Sequence, residues 1–140
     1  MNTVDKNIPS RRSFLIMLLG LPFGVSAVKN FFGEKDKEKK LLLDVFAIAG
    51  YQFYEGESVE HHLKSGDSLK LNAEPDNPHD ENAVEILTKN NVKLGYVPKN
   101  DNKALSRLLQ QSAKVEANIE VIDLENVSWL RVWVGVRLIA

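Results

Sequence analysis

The last stretch of the chain constrains its fold most. Leu130, Val132, Val134, Val136 and Leu138 recur at every second position, with Trp129, Arg131, Trp133, Gly135 and Arg137 between them. A period of two marks a strand with one buried face. Such a strand is not stable alone and must bury its valines against others, so the chain has to build a sheet. Just before it, Val115, Ala117, Ile119 and Val121 alternate with Glu116, Asn118 and Glu120 and supply one neighbour.

The rest of the chain adds further strands. Leu43 to Ala49 is apolar and strand-like, and Gly50 breaks it. Gln52, Phe53 and Tyr54 are expected to continue that strand after a bulge. Glu55-Gly56-Glu57 reads as a turn and Val59 to Leu63 as a short connector. Leu69, Leu71 and Ala73 alternate inward, as do Val84, Ile86 and Thr88. Asn90-Asn91 is a hairpin turn, and Lys93 to Val97 is the returning strand. Ala104, Leu105, Leu108 and Leu109 form the stripe of one main helix, capped by Asn100 or Asp101. The expectation is a mainly β chain with one main helix. A small, partly open β-barrel hides the edges of such short strands.

One loop stands apart. Glu74-Pro75-Asp76-Asn77-Pro78-His79-Asp80-Glu81-Asn82 holds two prolines, two asparagines and five acidic or imidazole side chains, and runs directly into Ala83-Val84. Pro78 fixes its own φ and drives Asn77 out of the helical region. Asn77, Asp76 and Asp80 can bond nearby backbone N–H groups. A stiff, self-bonded polar loop suits the presentation of groups to a ligand.

The N-terminus has the three-part layout of a signal peptide. Lys6, Arg11 and Arg12 precede a short apolar run from Ser13 to Val25, and Val25-Ser26-Ala27 supplies small residues for cleavage. Ser10-Arg11-Arg12-Ser13-Phe14-Leu15 resembles the twin-arginine export motif. The apolar run is shorter than the roughly 20 residues that span a bilayer, so contact with membrane is expected only through this peptide. Residues 1–27 are thus read as signal peptide, 28–41 as a charged, solvated spacer, and 42–140 as the domain. Cleavage after Ala27 leaves fifteen Lys and Arg against eighteen Asp and Glu, a net charge of −3. An acidic domain is a poor generic binder of polyanions, whose affinity comes from phosphate neutralisation.

The 140 residues include no cysteine. That removes disulfides, thiolate zinc sites, cysteine nucleophiles and a lipid anchor at Cys. No phosphate-binding Gly-rich loop, G-x-S-x-G or H-E-x-x-H is present. The carboxylates and His79 of the loop could do acid–base work, but such loops use those groups to bond their own backbone. His61-His62 and His79-Asp80 have no zinc-site spacing. The expectation is a non-enzymatic binding module without a cofactor.

The loop also resembles the HIRAN signature, roughly E-P-x-N-P-x-D-x-N-A-V. Phe46 to Tyr54 before it, Gly66-Asp67-Ser68-Leu69-Lys70-Leu71 leading into it, and Leu94-Gly95-Tyr96-Val97-Pro98-Lys99 after it match the same family in order. The resemblance runs from about Leu43 to Ile122 and implies a compact barrel related to OB-like folds. It also implies a role, since DNA-binding members grip the free 3′ end of single-stranded DNA with stacked rings, a loop carboxylate and basic groups. Carried over, Gln52, Phe53 and Tyr54 form the aromatic strand end. Asn77, His79 and Asp80 form the end-gripping loop, and Tyr96 and Lys99 follow. Gln52 stands where those members carry Arg, and His79 where they carry Tyr, so a phosphate contact and a stacking ring are lost.

Two classes of partner stay open. A groove between Phe53, Tyr54, His79, Asp80 and Tyr96 reads as a site for the end of a single-stranded nucleic acid. Export to the periplasm or cell envelope argues instead for an envelope protein bound at the groove or at a Trp129–Trp133 face flanked by Arg131 and Arg137.

Overall fold

The computed structural model describes residues 38–140. The signal peptide and most of the spacer lie outside the described residues. Six strands, β1 (Lys40–Ala47), β2 (Ser68–Ala73), β3 (Val84–Thr88), β4 (Lys93–Tyr96), β5 (Val115–Ile122) and β6 (Val132–Ile139), pair antiparallel in the order β1-β6-β5-β2-β3-β4. A one-turn helix α1 (Gly56–Val59) and the main helix α2 (Asn102–Gln110) complete the described elements, with 3₁₀ turns at Tyr51–Phe53, Glu60–His62 and Ser128–Leu130.

The ladder does not close, but its two ends are tied just past β1. The Ala49 N–H donates to the Tyr96 carbonyl at 2.8 Å, and the Tyr96 N–H to the Ala49 carbonyl at 2.9 Å. The approach is possible because residue 95 is glycine. Its φ is +149°, and a Cβ there would stand 2.4 Å from the Ala49 carbonyl oxygen. The result is the expected partly open barrel. Val132, Val134 and Val136 from β6, Ala117 and Ile119 from β5, Val84 and Ile86 from β3, Leu94 from β4, and Phe46 and Ile48 fill it. Each large aliphatic side chain so buried contributes about 1.5–3 kcal/mol, which is where the fold gets its stability.

Several expectations shift. Gln52-Phe53-Tyr54 do not extend a strand: Gly50 takes a left-handed φ of 72° and the chain winds into the 3₁₀ turn instead. Tyr51 anchors that turn. Its ring is buried against Gly56, and its hydroxyl donates to Glu60 Oε2 at 2.8 Å. Arg131 donates to the other Glu60 oxygen at 3.1 Å. Burial, reinforced by Glu60, pushes the Tyr51 hydroxyl well above its ordinary range. Val121 faces solvent, because a register shift between Ile119 and Val121 breaks the alternation. β1 starts at Lys40, inside the stretch read as spacer. In α2 the buried residues are Asn102, Leu105 and Ser106, while Ala104 is exposed, and Asp101 occupies the N-cap without a side-chain cap bond. Trp129 and Trp133 do not share a strand face. Trp129 lies on the turn before β6, Trp133 donates to the Leu130 carbonyl at 3.0 Å, and Arg131 and Arg137 pair with Glu60 and Glu120.

Candidate functional site

The polar loop holds itself in shape. Asn77 Oδ1 accepts from the backbone N–H groups of His79 at 2.9 Å and Asp80 at 3.2 Å, and its amide donates to Glu74 Oε1 at 3.1 Å. Asp80 Oδ1 accepts from the Asn82 N–H at 2.9 Å, while Oδ2 accepts from the Asn102 amide at 2.7 Å. The Asn82 N–H above all, then Asn102 and the nearby charge of Lys99, hold the Asp80 carboxyl below its ordinary range, so it is ionised at neutral pH. Two donors do not exhaust a carboxylate, which offers about four lone-pair positions. Asp80 is therefore fixed in place and still able to accept a bond from outside.

The opposite wall is aromatic. The Tyr54 and Tyr96 rings meet edge to face, with centroids 5.8 Å apart and planes at 63°. Lys93 Nζ donates to the Tyr96 hydroxyl at 2.8 Å and lies 4.5 Å from the Tyr54 centroid. Burial raises the Tyr96 phenol above its ordinary range, and the Lys93 bond opposes that rise. Burial alone would lower the Lys93 ammonium, but its bond to Tyr96, with Glu85 and Tyr54 nearby, more than offsets this and keeps it above its usual value.

These walls enclose a cleft of about 270 Å³. Of the residues singled out in the sequence, Tyr54, Asn77, His79, Asp80, Tyr96 and Lys99 line it. Gln52 and Phe53 do not. Both are exposed on the 3₁₀ turn beside it, and Phe53 is 77% accessible. That turn packs against the turn carrying Trp129, itself 55% accessible, so two open rings, Phe53 and Trp129, sit on adjoining turns. The neighbouring cleft shares Asn77 and Tyr96 but is walled by Glu74 and Asp76. Asn102 and Lys93 were not singled out in the sequence. The signal for Asn102 was a polar residue three positions before Leu105, on the face of α2 that points inward. Among the described residues, no three His, Asp or Glu side chains come together to hold a metal ion. His61 and His62 are exposed on their own 3₁₀ turn, away from His79.

The architecture and cleft define a small antiparallel β module with a fixed carboxylate facing an aromatic wall. The HIRAN domain pattern matches residues 44–136, and the chain belongs to the HIRAN domain family. Two solved structures are similar. A protein from Lactobacillus plantarum is 20% identical with a TM-score of 0.64, over 73% of this chain and 97% of that one. The HIRAN domain of human HLTF is 18% identical with a TM-score of 0.58, over 72% of this chain and 79% of that one. Both likenesses concern the fold. No curated protein sequence matches the chain.

Proposed function

We propose that this protein is a non-enzymatic module whose cleft takes the end of a single nucleic acid strand. The observation that carries the reading is the ionised Asp80 carboxylate, held by Asn82 and Asn102 with acceptor capacity to spare, across from Tyr54 and Tyr96. A terminal hydroxyl would donate to Asp80 while its base lies against a ring. Lys99 supplies one cation for the adjoining phosphate, and Phe53 and Trp129 offer further open rings for preceding bases. Binding is weak, since Gln52 and His79 supply neither a cation nor a good stacking ring, and Glu74 and Asp76 repel phosphate on one side.

Fluorescence anisotropy at low salt, where phosphate contacts are strongest, tests this. A single strand with a free 3′ hydroxyl should bind better than one blocked by a 3′ phosphate. Asp80→Ala should abolish that preference, and Phe53→Ala should cost about 1–3 kcal/mol if a base stacks on it. No binding at high micromolar protein would sink the reading. Exposed Leu124, Val127 and Trp129 on the β5–β6 connection favour a second reading, an envelope protein partner. Export through the twin-arginine route, suggested by Ser10 to Leu15, belongs to the proposal as well.

A further inference from the structure

Lys93 belongs to none of the motifs in the sequence, yet its side chain joins both rings of the cleft's aromatic wall. Its ammonium donates to the Tyr96 hydroxyl at 2.8 Å and stands 4.5 Å from the Tyr54 centroid. It is also 4.4 Å from the Tyr96 centroid. A hydrogen bond to the hydroxyl brings a cation that close to the same ring by itself. The Tyr96 contact therefore counts as a hydrogen bond and the Tyr54 contact as cation–π attraction. Glu85 Oε1 lies 3.5 Å from the ammonium, and Asn72 donates to the other Glu85 oxygen at 3.1 Å. One of the ammonium's donors is bonded to Tyr96, while the Glu85 carboxylate and the Tyr54 ring face offset its charge from two other sides. The Lys93 carbonyl accepts from the Glu55 N–H at 3.2 Å, which ties down the chain just after Tyr54. The Lys93 side chain is only 27% exposed.

We propose that Lys93 is the positioning residue of the cleft: it sets the angle between Tyr54 and Tyr96 before a ligand arrives, and its charge is satisfied inside the protein rather than on a phosphate. The inference rests on the single-strand reading for its ligand. A ring already held at its binding angle loses less freedom on association, so the effect belongs to affinity. A phosphate contact would show itself differently, because each one neutralised adds to the salt dependence.

The test compares the purified protein with Lys93→Met, which keeps the apolar stem, and Lys93→Arg, which keeps charge and donors. Lys93→Met should weaken binding of a free-ended single-stranded oligonucleotide by roughly tenfold, with the slope of log affinity against log salt unchanged, and Lys93→Arg should recover most of the loss. A slope shallower by about one phosphate contact would overturn the proposal, because Lys93 would then be a phosphate ligand. A second readout needs no ligand. In tyrosines labelled with ¹³C at Cζ, the Tyr96 phenol of Lys93→Met should titrate at higher pH than in the parent, and the ring signals of Tyr54 should move. Unmoved rings and an unchanged Tyr96 titration overturn the role whatever happens to binding. If the parent binds no oligonucleotide but the rings respond, the single-strand reading fails and the positioning role stands. Should Lys93→Met lose its fold by circular dichroism, Lys93→Gln carries the same comparisons.

Discussion

Replacing Asn77 by alanine removes three hydrogen bonds at once. The backbone N–H groups of His79 and Asp80 lose their acceptor, and Glu74 loses a donor. A net intramolecular hydrogen bond is worth about 0.5–1.5 kcal/mol, so the upper bound for three is about 4.5 kcal/mol. The real loss is smaller. Asn77 is half-buried and His79 is exposed, so water can reach part of the freed backbone. The expected cost is about 1–2 kcal/mol. For a domain of this size that lowers the melting midpoint by about 5–12 °C. Thermal unfolding followed by circular dichroism at neutral pH measures it. Asn77→Asp is the informative companion: it keeps the acceptor but sets a second carboxylate beside Glu74, so it should fall between parent and alanine. A midpoint for Asn77→Ala indistinguishable from the parent's would refute the argument that this side chain holds the loop.

Other expectations follow from the same structure. Gly95→Ala should destabilise strongly and disrupt the tie between Ala49 and Tyr96, since its Cβ would meet the Ala49 carbonyl at 2.4 Å; amide exchange at Ala49 and Tyr96 reports it, and protection equal to the parent's would count against the closure. Asp80 is a carboxyl whose folded pKa is depressed, so its stabilisation is present above the unfolded value near 3.9 and lost as pH falls through the folded value. The stability gap between parent and Asp80→Asn should therefore be full at neutral pH and shrink in acid; a gap that is flat with pH would contradict the linkage. Arg11→Lys with Arg12→Lys should retain the precursor inside the cell, because the twin-arginine receptor reads guanidinium geometry that Lys lacks; cell fractionation decides it, and unchanged export would leave only a generic signal.

What the sequence made visible is what depends on neighbours close in the chain. The period of two in β5 and β6 survives because each strand has one face on the core, and Val132, Val134 and Val136 are all buried. The loop was legible for the same reason, since Asn77 bonds groups two and three residues on. The turn at Tyr51–Phe53 was not. Three aromatics among four residues look like a strand by propensity. What decides the conformation is Gly50 in its left-handed well and a Tyr51 hydroxyl caught by Glu60, itself held by Arg131 from the far end of the domain. The same holds for Asn102, whose burial has a reason only once Asp80 is seen beside it, and for Lys93, whose partners come from β3 and from the turn before α1. The bulge that turns Val121 outward is likewise a property of pairing with β6.

The side chains that brace the cleft and those that would grip a ligand are largely the same. Asp80 cannot offer a fixed acceptor unless Asn82 and Asn102 hold it, and Tyr54 cannot offer a set ring face unless Tyr51 anchors the turn behind it. Bracing and binding are thus not competing explanations of the loop, because a small selective site would need just such rigidity. The charges then give the site a direction. Glu74 and Asp76 wall the neighbouring cleft that shares Asn77 and Tyr96, so on the proposed reading a phosphate backbone would be repelled there and drawn past Lys99. With Lys99 the one lysine or arginine lining the cleft among the described residues, and Lys93 committed to Glu85 and the two tyrosines, counterion release would supply little of the proposed affinity. On the proposed reading, stacking and the end-group hydrogen bond would have to supply the rest, which is what recognition of a terminus, rather than of the length of a strand, would require of an acidic domain.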